Sequence, residues 1–508
     1  MSYLLNVDSR PDSIRTNSEF ELANAHSSKT KRGHALVLGS SLAGLLAARV
    51  LSDHYDSVTV IERDVLPEDP VPRRGVPQMN HVHALLARGR EILEQLFPGL
   101  NDEMIADGAP LLDMADDLSW LTPGGWGVRF SSELRMLAFT RPLLDLHVRR
   151  RLAERHQVEV FDNTEVVRLL ANDKKSLVGA IVRTFDSQTG EYREAKVPAD
   201  LIVDATGRGS KAHRWLEELG HSAPKETVVN AHTGYASRLY RVPEGFKSEW
   251  CSLFIQANPP KEKRGGLLLR VEGNRWLVTL VGGDHDYPPT DEDEFVEFAR
   301  SLRSPLIYDA IKNAEPLTPI RGHRGTENRW RHFESTKDLP SNFIAIGDSV
   351  CAFNPVYGQG MTIASIEALT LHECLQEQRD NKVFSRSFQK RLAKLNQTPW
   401  MLATGEDMRY AGTEGAVANR RVRFMHWYMN QVFKLASFDP DVRLVLLKVF
   451  GMLVKPTALF RPRIVFSILV QALGFVRTKA VTSSNLARNA FRVTSVNNTP
   501  KRTYETSN

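Results

Sequence analysis

Cysteine is scarce. The chain has three, Cys251, Cys351 and Cys374, too few and too scattered for a disulfide framework or a metal-ligand set. They read as buried thiols in a reducing, cytoplasmic setting. No apolar run approaches the ~20 residues that a membrane-spanning helix needs. A strong excess of one charge is missing too. The net charge is +6 over 508 residues, dispersed along the chain, which argues against a nucleic-acid partner. Residues 1–33 are polar and mixed in charge, without the apolar segment of a secretory signal, and are expected to form a disordered tail, as are residues 483–508. What remains is 42% hydrophobic and 25% charged, an ordinary globular chain long enough for two or three domains.

The organised chain begins with the apolar run Ala35-Leu36-Val37-Leu38, which enters Gly39. From Leu42 the apolar residues recur at helical spacing through Leu45, Leu46 and Val50. A second strand, Val58 to Ile61, then ends at Glu62. Strand, glycine turn, helix and strand fill about thirty residues, the size of one dinucleotide-binding βαβ unit. Gly39 allows the sharp turn, Gly44 allows the helix to pack closely, and the helix N-terminus offers free N–H groups to a pyrophosphate. Glu62 can accept ribose hydroxyls and disfavours a 2′-phosphate. Ser41 stands where the fingerprint has its second glycine, which a negative φ would tolerate.

Two more turns of this kind follow. Leu201-Ile202-Val203 breaks into Asp204-Ala205-Thr206-Gly207, and Phe343-Ile344-Ala345-Ile346 runs into Gly347-Asp348. After the latter comes Pro355-Val356-Tyr357-Gly358-Gln359-Gly360-Met361, opening a helical pattern. A helix N-terminus there suits the negative edge of a reduced flavin, and Asp348 suits its ribityl chain. The three turns in this order point to FAD.

The order resembles the group A FAD-dependent monooxygenases, the fold of p-hydroxybenzoate hydroxylase and squalene epoxidase, over roughly residues 34 to 375. Smaller segments, among them Arg73-Arg74-Gly75-Val76-Pro77-Gln78, His81-Val82-His83-Ala84 and Arg141-Pro142-Leu143-Leu144, are similar to the branch containing polyene epoxidases of polyether biosynthesis. The resemblance implies an α/β fold with a Rossmann-type FAD-binding domain of the glutathione reductase type, an inserted antiparallel-sheet substrate domain and a C-terminal helical region. The expected boundaries are 34–225 with 318–380 for the FAD-binding domain, 226–317 for the substrate domain and 381–482 for the helical cap. It further implies cofactor contacts at Gly39, Ser41, Gly44, Glu62, Arg63, Arg141, Val166, Asp204, Gly207, Gly347, Asp348, Pro355, Gly358, Gly360 and Met361. One of Arg73 or Arg74 joins them, with Arg74 the choice.

Alternation along 235–242, 267–271 and 275–281 marks the inserted sheet. Its aromatic residues Tyr235, Tyr240 and Trp276, with Trp126 from an earlier Gly-rich loop, are the expected pocket; Trp120 and Phe254 are further candidates. The expected reaction inserts one oxygen atom from O2 into an apolar small molecule, by alkene epoxidation or hydroxylation in secondary metabolism. The flavin carries that chemistry. No catalytic side chain is required, and His81 and His83 are weak candidates. No metal is expected. Only one dinucleotide fingerprint occurs, so electrons come from NAD(P)H docking transiently or from a separate reductase. The alternative activity is a flavin-dependent reduction of isoprenoid double bonds, as in geranylgeranyl reductase relatives. A halogenase is disfavoured because no Trp-x-Trp-x-Ile pattern occurs; a fold that has lost its cofactor is the non-enzymatic alternative. The apolar stretches 442–454 and 464–476, flanked by basic residues, read as a cap over the substrate domain, with peripheral contact to a membrane as the other option.

Overall fold

The computed structural model describes residues 32–173, 175–186, 189–377 and 381–472. The tails lie largely outside these residues, as do 473–476 of the second C-terminal stretch.

The first apolar run forms strand β1 (His34–Leu38), followed by helix α1 (Leu42–Leu51) and strand β2 (Ser57–Ile61). Helix α2 (Arg141–Ala153) leads into β3 (Val158–Phe161); β4 (Leu201–Asp204) and β5 (Phe343–Ala345) come from far along the chain, and helix α3 (Gly360–Glu377) follows. The five strands make one parallel sheet in the order β5-β4-β1-β2-β3. β1 is central, with Leu36 opposite both Ile202 and Thr59. Strands covered on both faces need continuous apolar runs, and Leu36, Val37, Val203 and Ile344 are each fully buried. This register places the three glycine turns side by side at one end of the sheet, where nucleotides bind in open α/β sheets.

A seven-stranded sheet covers that end, in the order 321–323, 234–241, 275–282, 264–271, 252–255, 118–122, 125–126. It draws Leu118–Thr122 and Arg321–His323 from outside the expected 226–317 segment. The strand Ser252–Ile255 pairs in parallel with Leu118–Thr122, a long-range union that no hairpin signal announces. A separate three-stranded antiparallel sheet spans residues 164–198.

The last helices are α4 (Asn381–Asp407), α5 (Arg420–Leu435), α6 (Pro440–Phe450) and α7 (Pro462–Ala472). Tyr428, Val432, Leu446 and Ile464 of α5 to α7 share one core with Trp120, Leu269 and Leu277 of the seven-stranded sheet. The opposite face of that sheet packs on the helices Glu292–Arg300 and Leu306–Ile311. No helix among the described residues is long and apolar enough to cross a membrane.

Candidate functional site

The turn from β1 to α1 is built for close approach. Gly39 has φ +100°, and a Cβ there would stand 2.6 Å from the Ala205 carbonyl oxygen. A Cβ on Gly44 would collide with the carbonyl oxygen of Gly39. Ser41, at the helix N-cap, has φ −76° and makes no capping hydrogen bond with its side chain. The serine is therefore unstrained, and the first-turn N–H groups of α1 remain free for an anion.

Glu62 sits where expected but is largely engaged by the protein. Its Oε2 accepts from Ser40 N–H at 2.9 Å and Ser40 Oγ at 2.8 Å, and Arg73 Nη1 lies 2.8 Å away. Oε1 accepts from Asp64 N–H at 3.0 Å. Burial pushes this carboxyl up, but Arg73 and the backbone donors outweigh burial and hold it below the usual range. A carboxylate offers about four acceptor sites, so Oε1 alone has capacity left for a ribose hydroxyl. Arg63 is exposed at the rim, and Val166 lines the same end.

Neither arginine of the 73–74 pair lines the cavity. Arg74 is exposed, whereas Arg73 is buried and also donates to the Ser40 carbonyl at 2.9 Å. Arg141, the first residue of α2, is buried beside it; its Nη2 lies 3.8 Å from Asp145 and 3.5 Å from Ser41 Oγ. Its Nε has no partner among the described residues. A buried guanidinium with a spare donor next to an uncapped helix N-terminus fits a pyrophosphate.

Asp204 does not reach the cavity and is removed from the contact set. It is fully buried; Oδ1 takes Thr206 N–H at 3.0 Å and Thr206 Oγ1 at 2.6 Å, and Oδ2 takes Ser210 Oγ at 2.5 Å. It shapes its own turn. Gly207, with φ +79°, lines the cavity and donates its N–H to Ser349 Oγ at 2.8 Å, joining this turn to Gly347-Asp348. Asp348 faces the cavity with Arg208 Nε 3.6 Å from Oδ2. Pro355 begins the next turn, Gly358 ends it at φ +64°, and Met361 is buried in the first turn of α3. At Gly360 a Cβ would meet nothing nearer than Asp348 Oδ1 at 4.0 Å. The protein has no steric need for glycine there, so the open space above the α3 N-terminus is room for a ligand.

Two carboxylates behind these turns carried no sequence signal. Asp407, the last residue of α4, accepts Tyr357 OH at 2.6 Å and Asn354 Nδ2 at 3.0 Å on Oδ1, and Asn328 Nδ2 at 2.6 Å on Oδ2. Glu367 accepts Gly347 N–H at 2.6 Å. Burial raises both carboxyls, to about 7 in each case.

All these turns open into one cavity of about 1510 Å³. Ordinary small-molecule pockets span roughly 300–1,000 Å³, so this one has room for a dinucleotide and a second molecule. The second half is apolar. Tyr235, Trp120 and Phe254 line it, with Leu269, Phe433 and Phe450. Trp126, Tyr240 and Trp276 do not. Side chains alternate across a strand, and Tyr240 and Trp276, paired across neighbouring strands, face the core over the two covering helices. Trp126 packs on that same core. His81 and His83 both line the cavity, and burial pushes them down, to about 3 and about 4.

The family model described as FAD binding domain matches residues 32–382. The Mycobacterium tuberculosis protein Rv3254 is 32% identical over 435 residues, covering 83% of this chain and 90% of its own length. Kynurenine 3-monooxygenase of Salinispora tropica is 26% identical over 371 residues, 69% of this chain and 74% of that protein. Among solved structures, the flavin-dependent brominase Bmp2 superposes with a TM-score of 0.61 at 15% identity, over 87% of this chain and 99% of the brominase. The likeness to Bmp2 is one of fold.

Proposed function

The chain belongs to the family built on this FAD binding domain, the group A flavin-dependent monooxygenases, and on that premise we propose that it inserts one oxygen atom from O2 into an apolar small molecule by alkene epoxidation or hydroxylation. The observation that carries this reading is the single cavity, polar and glycine-cradled at one end and aromatic and aliphatic at the other.

FAD, when bound and reduced, supplies the activation of dioxygen. The residues of the chain do the rest. Arg141 and the α1 N-terminus hold the pyrophosphate, and Asp348 holds the ribityl hydroxyls. The α3 N-terminus stabilises negative charge on the flavin's edge. The seven-stranded sheet and α5 to α7 enclose the substrate and exclude water.

Hydroxylation of a phenol requires a positioned base that takes the ring hydroxyl's proton. The imidazoles on the sheet side of the cavity are poor bases: burial lowers His81 to about 3 and His83 to about 4, and it lowers His323 as well. Oxygenation of an alkene needs no such base, and a polyene of the kind taken by polyether-forming epoxidases is the first candidate. Electrons come from NAD(P)H docking on the flavin face or from a reductase. The basic residues Arg420, Arg421 and Arg423 flank exposed Phe424 and Trp427 on α5, which supports peripheral contact with an anionic membrane surface.

The test is a screen of polyenes, terpenes and aromatics with NAD(P)H under oxygen-18, following oxygen consumption and product mass. One labelled oxygen atom per product is the expected result. A hydrogenated product formed without oxygen would overturn the proposal in favour of the reductase.

A further inference from the structure

The segment from His81 to Leu86 bridges the two halves of the cavity. Leu86 N–H donates to Thr362 Oγ1 of α3 at 3.0 Å, and Val82 N–H donates to Thr279 Oγ1 of the seven-stranded sheet at 3.0 Å. Ala84 lies against the flavin-side turn, where a Cβ on Gly358 would come within 3.0 Å of its methyl group. His81 is thus held between cofactor turn and substrate sheet, buried, with its ring edge-on to Tyr235 at 4.4 Å between centroids.

A short chain of hydroxyls runs from the backbone to this imidazole. Thr279 Oγ1 lies 2.6 Å from Ser237 Oγ, and Ser237 Oγ lies 2.7 Å from His81 Nδ1. Thr279 Oγ1 accepts from Val82 N–H and keeps a second lone pair, so the chain has two directions. Running from Thr279 through Ser237 to His81 Nδ1, it leaves the hydrogen on Nε2; running the other way, it turns the Thr279 proton to the cavity that Thr279 also lines. His83 Nδ1 faces the His81 carbonyl oxygen at 3.0 Å and must donate to it. Burial keeps both rings neutral. Nε2 of His81 has no partner among the described residues, yet it is not sealed from the cavity that His81 lines.

We propose that His81 is a specificity-determining residue whose Nε2–H donates to an oxygen atom of the substrate. The substrate is then an apolar molecule that carries a carbonyl, ether or hydroxyl oxygen near the carbon that is oxygenated. This rests on the reading of the cavity as a monooxygenase site and narrows its substrate class. The neighbouring wall is aliphatic and aromatic, with Phe254, Leu267, Leu269 and Val281 lining it. A fixed donor beside such a wall discriminates against molecules that cannot use it.

Two measurements on the FAD-loaded enzyme test this. Nitrogen-15 histidine NMR, with His81 assigned by its loss in His81→Phe, reads the tautomer. The expected signature is an unprotonated Nδ1 and a protonated Nε2; a protonated Nδ1 would overturn the proposal. The second measurement titrates a cyclic monoterpene alkene and the ketone of the same skeleton, read by perturbation of the bound flavin's visible spectrum. The ketone is expected to bind about fivefold tighter, the yield of one net hydrogen bond. His81→Phe should level the two probes. Ser237→Ala keeps the ring but frees its tautomer, and should reduce the preference. An undiminished ketone preference in His81→Phe overturns the role of His81 alone. If neither probe perturbs the flavin, the reading of the cavity falls and this proposal falls with it.

Discussion

Replacing Arg73 by Ala should cost the protein both stability and cofactor, whereas replacing its neighbour Arg74 should cost neither. Arg73 and Glu62 form a buried ion pair at 2.8 Å, with side-chain accessibilities of 3% and 8%. Arg73 also donates to the Ser40 carbonyl at 2.9 Å, so one guanidinium ties the 73–78 loop to the nucleotide turn. Removing one partner of a buried pair typically costs about 3–5 kcal/mol, because the other charge is left without compensation. Glu62 keeps its donors from Ser40 and Asp64, so the expected loss is at the low end, about 3 kcal/mol. That is a large share of the roughly 5–15 kcal/mol that holds a typical domain together. Urea denaturation reads the stability, and FAD fluorescence quenching reads the affinity, which should weaken by at least about tenfold. Adding Glu62→Gln to Arg73→Ala removes the stranded charge and should recover more than about 1 kcal/mol relative to additivity. An Arg73→Ala protein within about 0.5 kcal/mol of wild type, together with flavin loss in Arg74→Ala, would refute the reasoning.

Gly360→Ala should leave the flavin-free protein as stable as before, since its Cβ meets nothing closer than 4.0 Å, yet weaken FAD by about tenfold or more; unchanged affinity would empty the proposed cradle. Asp407→Ala strands the Asn328, Asn354 and Tyr357 donors at about 1–3 kcal/mol each, and FAD release should accelerate in a dilution assay as the turn at 354–358 loosens. Glu367 is ordinarily 4.5 and stands at about 7 in the folded chain, so the folded state holds its proton longer than the unfolded one. Stability is then lost as pH rises from the ordinary value to about 7 and is level above it. Glu367→Gln can keep the Gly347 bond, with the Asn396 amide, which donates to Glu367 Oε1 at 3.2 Å, turned over so that its oxygen accepts from the new amide, so the thermal midpoint should vary less with pH and exceed that of wild type in mild alkali. Phe254→Leu should alter ligand-induced flavin spectra, whereas Trp276→Leu should lower the thermal midpoint and leave those spectra unchanged.

The nucleotide-binding half was legible because its signals are local. An apolar run, a glycine and a 3.6-residue period within 34–61 define β1, α1 and β2, and the three turns then announce themselves by type. The rest was not legible, in each case for a physical reason. Arg73 and Arg74 lie in a loop without period, so nothing in the sequence says which faces inward. Asp204 reads as a ligand by its turn, but Thr206 and Ser210 beside it consume both oxygens. Trp276 and Tyr240 alternate as strand residues should, but alternation separates two faces without saying which is the cavity. Only the packing of Glu292–Arg300 and Leu306–Ile311 decides that. Asp407 sits at the end of a long helix, with no motif around it, and matters through contacts 50 to 79 residues away. The enclosure of the cavity by Phe433 and Phe450 likewise depends on how α5 and α6 return to the sheet.

The most direct test of the central claim is the flavin content of the full chain. The purified protein is incubated with FAD, freed of excess and examined by its visible spectrum, with the released cofactor identified after denaturation. The structure predicts one intact FAD per chain, retained in Arg74→Ala and depleted in Arg73→Ala and Gly360→Ala. A colourless protein that takes up no FAD would contradict it.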